Sequence, residues 1–394
     1  MWPQVVYETL PWHRDDDALA YASKTQRRKI QGTYEAALPA HIAELSVTLN
    51  SELSRRAEEL MASIARYDQE QANRAYNLPA LMLRSESSSS SQIERLTSSA
   101  RNVALAELSD KTSQNAQLIA ANIAAMHEAL AHERAIDAPL ITRIHDTLVE
   151  GTDAAAGIRT EQVWIGGSFY SPHGALFVPP HHSRISAYLN DLVAFSARTD
   201  ISPLVKAAIF HAQFETIHPF TDGNGRTGRA LLHAMLAWDD VLRHSTLPLS
   251  AGLLSNVDAY MAALDAYHDG RIEPIAEQLL DAVELAIALG SKSSGQFDAL
   301  LSEWNDSFAE RKGAKIYELP ALLVEQPVVN TAYVAERLGI SDRAARDLIA
   351  KACGYGILSK MGNARRSAFY QAPELIEIIE SASSAKELRR AKAR

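Results

Sequence analysis

The chain has 394 residues and a formal net charge of −9, and 47% of its residues are hydrophobic but only 7% are aromatic. This length gives room for about two or three domains, and the alanine- and leucine-rich apolar content favours helices packed on helices over sheets. The negative charge argues against a protein that coats nucleic acid with its whole surface, although it leaves a local basic patch open. The single cysteine, Cys353, excludes an intrachain disulfide and a cysteine-based zinc cluster and suits a reducing compartment.

The amino-terminal residues show no targeting segment, because no basic stretch there is followed by an apolar run. The stretch that comes nearest to a membrane span, 275–289, is interrupted by Glu277, Asp281 and Glu284. We therefore expect a cytoplasmic protein without a membrane-spanning helix.

The first 20 residues contain two prolines and an acidic triplet and are predicted to be irregular. From about residue 23 to residue 74 the leucines recur at helical spacing, which predicts helices. Pro39 is expected to start a second helix in this region, because proline is tolerated in a first turn.

Five consecutive serines at 87–91 have two readings. Composition alone indicates a flexible linker. The apolar residues on either side of the serines, and the spacing of Ser90 and Glu94 by one helical turn, instead favour a helix.

Residues 101–150 have a helical pattern of apolar residues, and this pattern ends after residue 150. A β-branched and aromatic cluster ends in Ile165, Gly166, Gly167 and Ser168, and an extended segment follows at 177–182. This pattern predicts a short hairpin with an irregular loop, the only β element expected in the central region.

The chemistry is concentrated in one run, His-Pro-Phe-Thr-Asp-Gly-Asn-Gly-Arg-Thr-Gly-Arg, from His218 to Arg229. Apolar residues at helical spacing lie on both sides, at 206–214 and 230–238, so the run is predicted to be a tight loop between two buried helices. Successive backbone N–H groups in such a loop, together with a helix N-terminus, favour an anion. A base, a hard oxygen ligand and two guanidiniums in the same run indicate phosphoryl or nucleotidyl transfer.

This run resembles the active-site signature of the Fic-domain family, and every defining position matches. The resemblance implies a mainly α fold, a Fic-type helical bundle with a small β-hairpin flap. It also implies transfer of AMP from ATP to a Ser, Thr or Tyr hydroxyl of a target protein, and of the chain itself, with release of pyrophosphate. ATP and Mg²⁺ are the implied cofactors, and a homodimer is open because some family members are tuned by dimerisation.

The resemblance assigns roles within the run. His218 would take the proton from the attacking hydroxyl, and Asp222 would hold Mg²⁺ between the α- and β-phosphates. Arg226 would hold the β-phosphate and Arg229 the γ-phosphate. The full set expected to contact the nucleotide from this run is Gly223, Asn224, Gly225, Arg226, Thr227, Gly228 and Arg229.

The same resemblance implies a regulatory role for the serine-rich stretch. Ser90-Ser-Gln-Ile-Glu94 is similar to the Ser/Thr-x-x-x-Glu-Gly/Asn motif of self-inhibited Fic proteins. The motif implies that Glu94 pairs with Arg229 in the place of the γ-phosphate. Arg95 departs from the family's Gly or Asn.

Two further segments are similar to family elements. The predicted hairpin at 165–168 resembles the flap that pairs with an extended segment of the target by strand addition. Tyr260 resembles a tyrosine that helps to line the nucleotide pocket, and an ordinary core position is an equal alternative for it.

The C-terminal region begins after a small, polar stretch at 291–295, which is typical of a flexible domain boundary. Asn330 and Ser341 are expected to cap two short helices, and a hairpin follows, which is the order of a winged helix. Such a domain contacts DNA or protein. The candidate DNA-facing residues are Arg343, Arg346, Lys360, Arg365 and Arg366, with a basic tail beyond them.

We therefore predict an N-terminal helical region with the inhibitory motif at 1–105, a Fic core at 106–290 and a linker helix at 291–314. A winged helix at 315–380 and a basic tail at 381–394 complete the predicted organisation. The alternatives to an inhibited adenylyltransferase are a nucleotide-sensing transcription regulator that binds DNA, and a Fic enzyme that uses another donor or removes AMP.

Overall fold

The structure, a computed structural model, describes residues 2–12, 23–74, 78–131, 135–168, 170–362 and 368–383, and most of these are helical. The chain divides into two compact units that each combine several stretches of sequence. The first unit contains Met1–Ala57, Glu128–Trp238 and Asp258–Gln278, and the second contains Glu58–His127, Asp239–Val257 and Leu279–Arg394. No helix within the described ranges is both long and apolar enough to cross a membrane.

The strands are β1 (Val6–Pro11), β2 (Thr33–Leu38), β3 (Val328–Asn330), β4 (Ser359–Lys360) and β5 (Phe369–Gln371). The helices of the N-terminal half are α1 (Lys24–Lys29), α2 (Ser51–Ala72), α3 (Leu78–Ile93), α4 (Ala100–Ala106), α5 (Gln114–Leu130), α6 (Ala138–Val149) and α7 (Ile185–Ser196). They are followed by α8 (Pro203–Ile217), α9 (Asn224–Trp238), α10 (Leu249–Leu254), α11 (Val257–His268) and α12 (Glu273–Ser307). The last helices are α13 (Leu319–Glu325), α14 (Thr331–Leu338), α15 (Asp342–Gly354) and α16 (Pro373–Ser383).

The mainly α fold is confirmed, but the N-terminus differs from the prediction. Strands β1 and β2 form an antiparallel hairpin, with Val6 opposite Leu38, where we expected irregular and then helical structure. The alternating burial of Tyr34 and Ala36 on β2 is a strand pattern that the alanine content obscures. Pro39 does not start a helix. Helix α2 begins at Ser51, and the side chain of Asn50 caps it by accepting a hydrogen bond from the backbone N–H of Leu53 at 2.9 Å.

The serine-rich stretch is a helix, and the linker reading is wrong. Residues 81–91 of α3 are buried without a break. Helix α3 packs against α10, α13 and α16 in the second unit. Small serine side chains allow neighbouring helices to approach closely on several sides, which explains how so polar a helix can be buried.

The flexible boundary expected at 291–295 is also wrong. Helix α12 runs without interruption from Glu273 to Ser307, and Ser293 and Ser294 are buried. The serines here serve packing, as they do in α3.

The predicted helices precede the predicted β4–β5 hairpin, and strand β3, which was not predicted, completes a three-stranded antiparallel sheet in the spatial order β3, β5, β4. Asn330 and Ser341 are confirmed as helix caps, since their side chains accept hydrogen bonds from Tyr333 N and Ala344 N. The exposed face of α15 carries acidic as well as basic residues, so its charge gives DNA binding little support: Asp342, Arg343, Arg346 and Asp347. The predicted wing arginines Arg365 and Arg366 and the basic tail from residue 384 lie outside the described residues.

The first unit positions the motif at 218–229. Helices α8 and α9 pack against each other, α7 covers α8, and α6 packs against α9. Almost every residue of α8 is buried, as is most of α9. The predicted loop between two buried helices is thus observed at residues 218–223.

Candidate active site

The local geometry of the loop gives His218 the form that a general base requires. His218 adopts a left-handed conformation (φ 50°, ψ 62°) that ends α8, and Pro219 prevents the helix from continuing. Its Nδ1 lies 3.3 Å from the carbonyl oxygen of Glu215, so Nδ1 carries the hydrogen and Nε2 carries the lone pair. Burial lowers the pKa of His218 to about 4, helped by the positive charge of Arg159 and opposed by Asp222. The imidazole is therefore neutral at physiological pH.

Phe220 anchors the loop in the core: its side chain is fully buried and stacks on the ring of His145 at a centroid distance of 3.7 Å. His145 Nε2 also lies 3.1 Å from the carbonyl oxygen of Asp222. The side chain of Asn224 makes two 2.9 Å hydrogen bonds to the backbone of Phe220, one in each direction. Asn224 therefore holds the loop closed, and its contact with phosphate stays a prediction.

Gly223 connects the loop to α9. Its φ of +75° is a conformation that side-chain-bearing residues rarely adopt, and a Cβ there would lie 2.9 Å from Leu148 Cδ2. Helix α9 begins at Asn224, and the Thr227 N–H donates to the carbonyl oxygen of Gly223 at 3.0 Å. The amides of the first turn precede that bond and have no intrahelical acceptor, so they form the positive end of the helix dipole.

The two arginines of the motif are buried while Asp222 is open to solvent. Arg226 is 3% exposed and Arg229 is 2% exposed, whereas the Asp222 side chain is 68% exposed. An Arg226 guanidinium nitrogen lies 3.4 Å from an Asp222 carboxylate oxygen. Burial, assisted by the charge of Arg229, lowers the pKa of His211 to about 3. Two buried cations beside the helix N-terminus make this site suited to a multiply charged anion.

The carboxylate of Asp222 fits a magnesium ion that binds together with a nucleotide. Within the described ranges, no group of three or more His, Cys, Asp or Glu residues could form a metal site by itself. Mg²⁺ in nucleotide sites uses one or two carboxylates and takes its other ligands from phosphate and water. The exposed carboxylate of Asp222 meets that requirement.

Two residues expected to contact the nucleotide are occupied in helix packing. Gly228 lies where α9 meets α8: a Cβ on it would be 2.7 Å from Glu215 Oε1 and 3.0 Å from Phe214 Cδ1. Tyr260 on α11 is 1% exposed, and its hydroxyl lies 2.7 Å from His211 Nε2. The contact of Tyr260 with nucleotide stays a prediction.

Arg159 is a site residue that the sequence reading missed. It is 3% exposed, and its guanidinium donates to the carbonyl oxygens of His218, Glu161 and Pro180 at 2.6–2.8 Å. Its backbone N–H donates to the Pro219 carbonyl oxygen at 3.0 Å. Burial lowers its pKa to about 10, so it stays charged at physiological pH. The sequence signal was weak: Arg159 directly follows Gly157 and Ile158.

The predicted flap is a minimal hairpin. Ile165 and Phe177 form an antiparallel bridge, with the Ile165 N–H donating to the Phe177 carbonyl oxygen at 2.8 Å, and Ser168 bridges Ser171. Gly166 and Gly167 have φ values of +72° and +78°. A Cβ at the second of these would lie 2.9 Å from a backbone oxygen, which explains the glycine there.

Glu94 lies directly after α3, in the second unit, and Arg229 lies in the first. The chain turns at Arg95, which has a φ of +64°. A left-handed position favours Gly or Asn, the residues that the similar family motif has there. The pairing of Glu94 with Arg229 stays a prediction.

Residues 135–236 match the model of the Fic/DOC family. A probable protein adenylyltransferase from Aquifex aeolicus is 32% identical over 140 residues, which are 36% of this chain and 39% of that protein. The protein adenylyltransferase fic-1 of Caenorhabditis elegans is 30% identical over 149 residues, 37% of this chain and 27% of that protein. The chain therefore matches well under half the length of these relatives.

The fold is shared with a Fic family protein from Desulfovibrio desulfuricans, whose crystal structure aligns with a TM-score of 0.53 at 20% identity. The alignment covers 83% of this chain and 97% of that one. It therefore extends well beyond the residues that match the family model.

Proposed function

We propose that this chain, which carries a Fic domain at residues 135–236, is a protein adenylyltransferase. It transfers AMP from ATP to a Ser, Thr or Tyr hydroxyl of a target protein and of itself. The observation that carries the proposal is the position of His218, which ends α8 just before a helix N-terminus with buried arginines.

The reaction follows from these groups. The hydroxyl oxygen of the target forms a bond to the α-phosphorus as the bond from that phosphorus to the α,β-bridging oxygen breaks, and pyrophosphate leaves. His218 Nε2 accepts the hydroxyl proton. The first-turn amides of α9 and the guanidinium of Arg226 stabilise the charge that develops on the phosphates. Mg²⁺ held by Asp222 would neutralise part of the triphosphate charge.

We also propose that the chain inhibits itself through Glu94. A carboxylate paired with Arg229 takes the position that the γ-phosphate needs, so ATP binds with its α-phosphate out of line. A misplacement of about 1 Å lowers a rate on the order of 100-fold. The support is the match of Ser90 to Glu94 with the inhibitory motif and the left-handed turn directly after it.

The test is self-labelling with ATP that carries its label in the α-phosphate. Glu94→Gly should label much more strongly than the wild type. The double variant that combines Glu94→Gly with His218→Ala should not label at all. Intact mass after the reaction should rise by one AMP, which separates AMP transfer from the use of another donor. Labelling that persists without His218 contradicts the assignment of the base.

A further inference from the structure

The serine helix α3 belongs to the same core as the C-terminal segments of the second unit. Leu81 and Met82 of α3 share one hydrophobic cluster with Ile376 and Ile379 of α16. Because residues 81–91 are buried without a break, α3 depends on its neighbours for its position.

The polar contacts of α16 lie on both sides of Glu94. Before it, the side-chain amide of Gln92 donates to the carbonyl oxygen of Ser383 at 3.0 Å. After it, the backbone N–H of Ala100 donates to Glu380 Oε1 at 3.1 Å. Ala100 is the first residue of α4, whose N-cap is Ser99, so the Glu380 carboxylate adds a second acceptor at this helix N-terminus from another part of the chain.

The turn that presents Glu94 has little stability of its own. The Arg95 N–H donates to the Gln92 carbonyl oxygen at 2.9 Å, and the Leu96 N–H donates to the Ser91 carbonyl oxygen at 3.0 Å, which is the Schellman pattern. That pattern is most stable with glycine in the left-handed position, and this chain has Arg95 there. Contacts from outside the turn must therefore compensate for the strain.

Helix α16 continues directly from the C-terminal sheet. It begins at Pro373, two residues after β5 ends, and the intervening Ala372 N–H donates to the Pro327 carbonyl oxygen at 2.8 Å. A displacement of this sheet would therefore be transmitted through α16 to the residues around Glu94.

We propose that Glu380 and Gln92 are positioning residues for self-inhibition: α16 fixes the main chain on both sides of Glu94 and so keeps its carboxylate in the inhibitory position. This inference rests on the proposed function, because it concerns the regulation of the same site. Loss of either contact frees the strained turn, and Glu94 then spends less time in place. Neither residue belongs to the motif at 218–229.

The first experiment measures self-labelling of Glu380→Ala in the full chain, beside Glu380→Gln and Glu377→Ala. Glu377 is the matched control, an exposed glutamate of the same helix one turn earlier. Loss of one hydrogen bond of this kind changes a local equilibrium about fivefold, so Glu380→Ala should label about five times faster than the wild type. Glu380→Gln keeps an acceptor oxygen and should restore most of the inhibition, and Glu377→Ala should label like the wild type. Gln92→Ala is a second, independent variant with the same expected direction as Glu380→Ala.

The second experiment combines Glu380→Ala with Glu94→Gly. If α16 acts through Glu94, the combination labels no faster than Glu94→Gly alone, a result that general loosening of the fold would not give. If Glu94→Gly labels strongly while both Glu380→Ala and Gln92→Ala label like the wild type, the positioning role is wrong and the proposed function stands. If Glu94→Gly itself fails to label, the proposed function fails and the positioning role with it. Thermal melting of each variant shows that the compared proteins are folded.

Discussion

The loop at 218–223 and the turn at 91–96 both present one charged or titratable side chain, but they are held in different ways. The loop is fixed by short-range bonds, such as those from Asn224 to Phe220 and from His218 to Glu215, together with a few buried partners from the same unit. The turn after α3 contains a strained Arg95, and contacts from α16, far away in sequence, support it. Local contacts thus hold the loop, whereas the turn depends on contacts from a distant part of the sequence.

This difference has a consequence for mutation. Changes in the loop should reduce the reaction itself, whereas changes near the turn should alter only the fraction of molecules that are inhibited.

When Gly223→Ala is added to Glu94→Gly, the self-labelling rate should fall on the order of 100-fold relative to Glu94→Gly alone. The reason is that the new Cβ meets Leu148 at 2.9 Å and displaces the loop. Gly151→Ala is the matched control: Gly151 has almost the same φ, +73°, but nothing lies within 4 Å of an added Cβ. The control should keep its labelling rate. Equal losses in both variants would mean that backbone strain, and not the position of the loop, matters.

Arg159→Ala should lower the free energy of unfolding by about 3 kcal/mol, because it leaves several buried carbonyl oxygens without their donor. Arg184→Ala is the control, since that arginine forms an exposed ion pair with Glu8, and such pairs contribute about 0–1 kcal/mol. Denaturant unfolding measures both. A loss of less than about 1 kcal/mol in Arg159→Ala would contradict the role given to this residue.

The labelling rate of Glu94→Gly should stay nearly constant as the pH falls from 8 to 6. The pKa of His218 is lowered from its usual 6.5 to about 4, so the imidazole stays neutral and able to accept a proton through that range. The rate should decrease only as the pH approaches the lowered pKa. Melting curves at each pH control for unfolding, and a half-maximal rate near pH 6.5 would contradict the burial of His218.

Arg95→Gly should stabilise the turn by about 1 kcal/mol, because glycine adopts positive φ without steric cost. Wild-type self-labelling should then decrease about fivefold. Arg95→Ala removes the same charge but keeps a Cβ, so it should not show the decrease. If both variants behave alike, the charge of Arg95 and not its backbone conformation sets the inhibition.

Local signals allowed the sequence to predict part of this structure. The helices around the loop, the caps at Asn330 and Ser341 and the glycine-dependent turn of the motif each follow from a few adjacent residues. Strand pairing between residues that are distant in sequence could not be predicted from local signals. The β1–β2 hairpin joins residues that a gap of more than 20 positions separates, and its second strand contains alanines that favour a helix.

The serine-rich stretches were the hardest to interpret from sequence. Composition indicated flexibility at 87–91 and at 291–295, yet both stretches lie within continuous helices, and residues 81–91 are buried without a break. Burial depends on what packs around a segment, and composition does not reveal its neighbours. Arg159 was missed for the same reason, since two of its acceptors, His218 and Pro180, lie far from it in sequence.

The most direct test of the account is a comparison of the wild type and Glu94→Gly with ATP labelled in the α-phosphate, followed by intact mass. We expect little labelling of the wild type and strong labelling of Glu94→Gly, with the mass of AMP added and no product when His218 is also replaced by alanine. Equal labelling of the wild type and Glu94→Gly would contradict the claim that Glu94 inhibits the site around His218.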